Sequence, residues 1–434
     1  MRIMAGFLIL SGKSFFMKRF YIVLTISILT TCSPFRSSSQ DNLLTAAQKT
    51  DGWVLLFNGK NTEGWRGYNM KEMPSGWHVE DGCLVTSSTG GGMPGDIITV
   101  DQYEDFDLYL EWAITPAGNS GIFFHVLEGY PSAYQSGPEY QLIDDLGWPD
   151  KLEEWQQTGA NYAMQVADKT KKHLKPVGEF NSSEIRVKDG HVTHLLNGEI
   201  VVEYDLWTDE WYKLAHEGKW KDYPGYGLAR KGYIGLQDHG SPIRFKNIRV
   251  KDLTDPGKPL FNGKDLAGWV NYGEEKWYAE DGAIVGQSGQ DGGYGYLATD
   301  KDYYNFTMRL DFKLENDGNS GVFFRSNLKG TDITGWQVEV APPGQNTGGI
   351  YESGGRGWLA EIPDDQENIL KPNDWNSLVI SLKDNRVMAW LNNELMTDLK
   401  DEAIAKGRGV IALQVHSGGE VAVKWRNIYL KEIK

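Results

Sequence analysis

Cysteine is almost missing from this chain: its 434 residues include only Cys32 and Cys83. Two thiols cannot build a disulfide framework, so a small cystine-stapled scaffold is excluded. Excess positive charge is lacking too. Lys and Arg number 44 against 59 Asp and Glu, a formal charge of −15, and no segment forms a basic stripe. A nucleic-acid partner is therefore not expected. The apolar run 20–31 has 12 residues, well short of the roughly 20 that cross a bilayer as a helix. Sustained helical periodicity is also scarce, and only 208–216 and 401–406 read as short helices.

What is abundant points to strands. There are 51 Gly, 16 Trp and 21 Tyr, a mixture that suits short strands, tight turns and spare aromatic surface. A chain this long is expected to divide into two domains.

The N-terminus reads as a processing signal. Met17-Lys18-Arg19 makes a short basic region, the apolar run follows, and Leu29-Thr30-Thr31-Cys32 resembles a lipobox. Residues 1–31 are expected to be removed, leaving Cys32 as the lipidated N-terminus of a bacterial envelope protein. Secretion without an anchor is the alternative. The removed segment carries four basic residues and no acids, so cleavage takes the charge from −15 to −19. The Ser-rich stretch 32–49 reads as a flexible tether. With Cys32 acylated, Cys83 is left alone, and its apolar neighbours make it a buried structural thiol.

The chain repeats itself. Leu56-Phe57-Asn58-Gly59-Lys60 returns as Leu260-Phe261-Asn262-Gly263-Lys264. Gly118-Asn119-Ser120-Gly121, followed by Phe123-Phe124, returns 200 residues later as Gly318-Asn319-Ser320-Gly321 with Phe323-Phe324. Ile234 to His239 is echoed by Ile411 to His416. The second copy is shorter, and most of the missing length lies opposite 206–230. This organisation predicts one domain over 50–254 and another over 258–434, held close by a short Pro- and Gly-containing join.

Within each copy the hydrophobic period is two. Phe106, Leu108, Leu110, Trp112 and Ile114 alternate with more polar residues, as do Phe306, Met308, Leu310, Phe312 and Leu314. Asp189-Gly190 and Asn197-Gly198 supply hairpin turns. Each copy therefore reads as an all-β sandwich or jelly roll.

Large polar residues interrupt these strands at alternate positions. Residues i and i+2 share a face, so neighbouring strands would present His125, Glu139, Gln141, Gln237 and His239 together. The second copy offers Arg325, Gln337, Glu339, Gln414 and His416. An acid, an imidazole and amides on a concave sheet can bind polyols and move protons. A plain solvated face would show the same alternation, and Asn119 and Asn319 could simply hold turns. His125, Glu139 and His239 could alternatively ligate a divalent metal that polarises a carbonyl.

Several motifs taken together are specific. Gly118-Asn-Ser-Gly-Ile-Phe-Phe124, Glu139-x-Gln141-x-x-Asp144, Thr158-Gly-Ala-x-Tyr162, Lys219-Trp-Lys-Asp-Tyr-Pro-Gly-Tyr-Gly227 and Gly232-Tyr-Ile-Gly-Leu-Gln-Asp-His-Gly240 resemble the 3-keto-disaccharide hydrolase domain family. The resemblance is strong over 52–253 and looser over 258–433. It implies two tandem concanavalin A-like jelly-roll sandwiches acting on glycosides oxidised at C3. By position it implies a site of Asn119, Glu139, Gln141, Asp144, Gln237 and His239, with Glu139 and His239 as an acid/base pair. Such a substrate in turn implies a sugar 3-dehydrogenase upstream.

Two departures stand out. The family usually ends its Phe-Phe strand with Arg, where the first copy has His125 and the second Arg325. The second copy also reads Gln337-x-Glu339-x-x-Pro342, exchanging acid and amide and losing the Asp. Two other readings stay open. One is a conventional retaining glycosidase using Glu139 and Asp144, which would share a strand face only across a β-bulge. The other is a non-catalytic carbohydrate-binding protein.

Overall fold

The alternation of apolar residues builds four antiparallel sheets, paired face to face as two tandem jelly-roll sandwiches. This is a computed structural model, and it describes residues 41–86, 95–316 and 318–433. The signal segment, the lipobox and Cys32 lie outside the described residues.

In the first sandwich the strand Phe106–Ile114 turns Phe106, Leu108, Leu110, Trp112 and Ile114 inward, all buried. It lies between Asn181–Lys188 and Ile243–Asp252 in the eight-stranded sheet. The facing five-stranded sheet runs Trp65–Gly67, Ile97–Tyr103, Gly232–Leu236, Asn119–Val126, Glu139–Ile143. Ile122, Phe124, Tyr140 and Leu142 from its last two strands enter the shared core. By parity, residues 121, 123, 139 and 141 point away from that core. Cys83 is buried and free. Asp189 and Gly190 take φ of 51° and 86° between Asn181–Lys188 and His191–Leu196, the left-handed pair expected of that hairpin.

Residues 41–49 are not tether. Asn42 is buried, donating its side-chain amide to the Gly82 carbonyl at 2.8 Å and exchanging backbone–side-chain bonds with Asn247. Ala46–Thr50 forms a short helix capped by Thr45 and Gln48. The Ser-rich composition that suggested flexibility belongs mainly to the residues before 41.

The segment 206–230, which the second copy lacks, folds over the outer face of the five-stranded sheet. Thr208 caps the helix Asp209–Glu217 by accepting a bond from the Trp211 amide. Trp211 stacks between Tyr204 and Tyr226, and Trp220 lies on the other side of Tyr226 with centroids 4.2 Å apart. This column of four rings props Lys219-Trp220 over the sheet.

The two sandwiches share buried structure. Trp390 of the second copy is 1% exposed, sits in the first copy's core, and donates its indole N–H to the Leu228 carbonyl at 3.0 Å. Beside it, the Glu104 carboxylate accepts from Arg230 Nε at 2.6 Å and from Arg309 Nη2 at 2.6 Å. Burial pushes the Glu104 carboxyl up, but the two guanidinium groups outweigh it and hold the carboxyl below the usual range. Removing one partner of such a buried set costs on the order of 3–5 kcal/mol, because the remaining charge is left unpaired.

Candidate active site

The outward residues of Asn119–Val126 and Glu139–Ile143 form the floor of a pocket of about 300 Å³. Across these strands Phe123 pairs with Glu139 and Gly121 with Gln141. The Gln141 amide donates to Asn119 Oδ1 at 2.9 Å. Asn119 is thus a wall residue of the pocket rather than a turn-holder. Gln237 continues the neighbouring strand, its N–H bonded to the Gly121 carbonyl at 2.9 Å and its carbonyl accepting from Ser120 Oγ. His239 follows at the exposed rim. Asn119, Glu139, Gln141, Gln237 and His239 therefore line one pocket.

Glu139 is 4% exposed. Among the described residues none hydrogen-bonds its carboxylate. Burial, reinforced by the charge of Asp96, pushes its carboxyl up to about 8, while Lys219 pulls the other way. Asp96 is itself raised to about 6 by burial, although it accepts the Asp238 N–H at 3.0 Å. Two desolvated acids, Glu139 and Asp96, thus line the pocket, with one imidazole at the rim and one ammonium, held 4.1 Å from the Tyr162 ring centroid, in the same lining.

Three expected site residues lie elsewhere. Asp144 follows the end of its strand and turns into the connecting loop. Its carboxylate accepts from the backbone N–H groups of Ala117 and Gly147, each at 2.9 Å, so it fixes a loop rather than facing substrate. His125 is fully buried behind the sheet, with Nε2 2.7 Å from the Glu104 carbonyl. The metal set of His125, Glu139 and His239 is consequently not assembled, and among the described residues no other cluster of three or more His, Cys, Asp or Glu has metal-holding geometry. Arg325 occupies the equivalent place in the second copy and binds the Tyr304 and Asp384 carbonyls. Both 125 and 325 are bulged residues at positive φ, 50° and 49°. The bulge breaks the strand parity from which they were placed on the site face.

Sequence reasoning gave no site role to Asp96, Tyr134, Tyr162, Lys219, Trp220 or Tyr223, all of which line the pocket. The signal for the last three was present: they fall within the stretch that the second copy omits. Nothing in strand alternation marks Asp96.

In the second copy Asn319, Gln337, Glu339, Gln414 and His416 line a wider trough of about 580 Å³. Its acid is differently held. Glu339 accepts from the Gln337 amide at 2.6 Å and from Asn319. Burial raises its carboxyl to about 7 despite these bonds.

The comparisons decide the family. The model of the 3-keto-alpha-glucoside-1,2-lyase-like domain matches residues 52–251 and again 256–431. The chain belongs to this family. A "3-keto-disaccharide hydrolase" of Bacteroides thetaiotaomicron is 37% identical over 231 residues, covering 47% of this chain and 79% of that protein. The crystal structure of a candidate glycosyl hydrolase from Parabacteroides distasonis is 43% identical, covering 50% of this chain and all of that one, with a TM-score of 0.47. A second structure from that organism, also a candidate glycosyl hydrolase, is 29% identical over 46% of this chain, with a TM-score of 0.37. This 3-keto-glucoside-lyase-like chain is thus a glycoside-cleaving enzyme that carries the family domain twice.

Gly121 gives the site a sharp test. A Cβ built there would stand 2.1 Å from Glu139 Oε1, and its φ is not one that only glycine tolerates. Gly121→Ala should therefore fold but swing the carboxylate aside. Since misplacement by about 1 Å can cost on the order of 10²-fold, kcat should fall by that order with the melting temperature little changed. Steady-state kinetics beside a thermal melt check this, and full activity in the variant would remove Glu139 from the chemistry.

Proposed function

We propose that the first sandwich cleaves glycosides oxidised at C3 by elimination followed by hydration. The observation that carries this reading is the desolvated Glu139 carboxylate on the pocket floor, beside the Lys219 ammonium and the His239 imidazole, with Asp96 rather than Asp144 as the nearby second acid. A retaining glycosidase needs two carboxyl groups flanking the scissile bond, and the pair named for that role is not assembled.

A ketone at C3 acidifies the hydrogen on C2. Glu139, at the floor beneath the sugar ring, removes that proton, and the electrons move onto the C3 oxygen as an enolate. Lys219 and the amides of Asn119, Gln141 and Gln237 supply positive charge and N–H donors for that oxygen and for the ring hydroxyls. The enolate collapses, the C1–O bond breaks, and His239 at the open rim gives a proton to the departing oxygen. The proton on Glu139 exchanges with solvent. Water adds to C1 of the enone, its released proton restoring His239, and Glu139 delivers a solvent-derived proton to C2, which regenerates a 3-keto sugar. A base of raised pKa suits this step, because a carbon acid is more basic on deprotonation than an ordinary carboxylate. The ordinary glycoside offers no such acidic hydrogen.

Reaction in deuterium oxide should place deuterium at C2 of the released sugar, read by NMR or mass spectrometry. Glu139→Gln should lower turnover by about 10²–10⁴, the usual contribution of a positioned proton-transfer group, with His239→Ala in the same range and Asp144→Asn near wild type. Cleavage without solvent deuterium at C2 would falsify the elimination.

We also propose that the chain is held to the bacterial envelope through Cys32, on the strength of the lipobox sequence alone. Cys32→Ala should move the protein from the membrane to the soluble fraction on cell fractionation. Unchanged membrane association in that variant would rule the anchor out.

A further inference from the structure

The second sandwich keeps the floor of the first but arranges it differently. Its sheet carries one cross-strand row in which Phe323 pairs with Gln337, Gln337 with Tyr351, and Tyr351 with Trp358. Cross-strand partners share a face, so an amide sits at the foot of two aromatic rings. Tyr351 and Trp358 meet edge to face at 5.2 Å, and Trp358 is 38% exposed. The hairpin Ile350–Ser353 and Gly357–Ala360 that bears them lengthens this sheet to seven strands, where the first copy has five. An open aromatic edge thus stands in place of the Lys219-Trp220 wall.

The acid of this trough is committed to its neighbours. Both Glu339 oxygens are held by amides, from Gln337 and from Asn319. In return, Gln337 Oε1, Asn319 Oδ1 and Gln414 Oε1 are buried without any hydrogen-bond partner among the described residues. Gln337 and Gln414 are 6% and 3% exposed. An unmade hydrogen bond of this kind costs about 1–3 kcal/mol, so three such acceptors beside one trough are available to donors that enter it. Glutamine χ3 is broad, so a terminal amide can rotate to meet one. The complement of three acceptors is a set of hydroxyl groups. A ketone, which donates nothing, is a poorer match. No Lys or Arg lines the trough among the described residues, so it lacks the ammonium that Lys219 supplies at the first site.

We propose that the second sandwich is a separate, non-catalytic binding site for neutral, unoxidised pyranosides, with the ring's apolar face on Trp358 and its hydroxyls on the Gln337, Asn319 and Gln414 oxygens. Glucosides are the class to try first, given the family to which both copies belong. The enzyme then holds ordinary sugar chains or products in one sandwich while the other treats the oxidised ring. This inference does not depend on the elimination chemistry, since the test uses an unoxidised ligand and a chain whose first site lacks its acid.

The full chain carrying Glu139→Gln is titrated with methyl α-glucopyranoside by calorimetry, with the tryptophan fluorescence change that Trp358→Ala removes as a second signal. Saturable binding is expected, weakened at least about tenfold by Trp358→Ala and by Gln414→Ala, a loss of 1.4 kcal/mol or more. Trp358 is exposed at its edge, so its variant should fold even where Gln414→Ala does not. The component of binding that Trp358→Ala removes should be several-fold weaker for the 3-keto form of the same glucoside. No detectable binding, or binding indifferent to both substitutions, overturns the proposal. So does a 3-keto preference in that component. Turnover that survives Glu139→Gln and disappears with Glu339→Gln would show instead that the second site is catalytic.

Discussion

Everything at the first site depends on one carboxylate that is buried without being paired. The strand Asn119–Val126 makes room for Glu139 by having no side chain at Gly121, and Lys219 and Trp220 line the same pocket. The result is a carboxyl raised to about 8. Such a group opposes folding when ionised. Its folded pKa lies above its unfolded one, so its share of stability is fully present below the ordinary carboxylate range and is lost as pH rises through about 8. The remainder of the sandwich must hold this residue in place against that cost, which is the usual bargain at a catalytic position.

That support comes from both copies. Trp390 enters the first copy's core from the second, and the Glu104–Arg230–Arg309 set lies buried between them. Arg230 closes the inserted segment 206–230, whose Trp211, Tyr226 and Trp220 stack in a column on Tyr204 and carry Lys219 to the pocket. The insertion is therefore anchored at one end by the neighbouring sandwich and at the other by the site it covers. Duplication has given the enzyme two floors of similar composition and two different acids: Glu139 free of hydrogen bonds among the described residues, and Glu339 held by two amides.

Most of the fold was legible in the sequence, because period-two alternation and the Asp-Gly and Asn-Gly turns are local signals. The grouping of Glu139, Gln141, Gln237 and His239 on one face followed from the same parity, while Asn119 came from the family resemblance. Parity misplaced His125 and Arg325, since each sits at a bulge with positive φ and turns to a backbone carbonyl behind the sheet. Asp144 matched a family motif but lies past its strand's last residue, where its carboxylate answers to the loop. Lys219 and Trp220 were marked only by falling in the stretch that the second copy omits. They reach the site through a column of aromatic rings, and such long-range packing leaves no periodic trace.

The central claim is that ionised Glu139 begins the reaction, and the pH dependence of kcat/KM on a 3-keto glucoside tests it most directly. This quantity reports the free enzyme's essential groups. It should still be rising above the ordinary carboxylate range as Glu139 loses its proton, and that limb should vanish in Glu139→Gln. A profile already flat from the ordinary carboxylate range upward, or a limb that persists in the variant, would contradict the account.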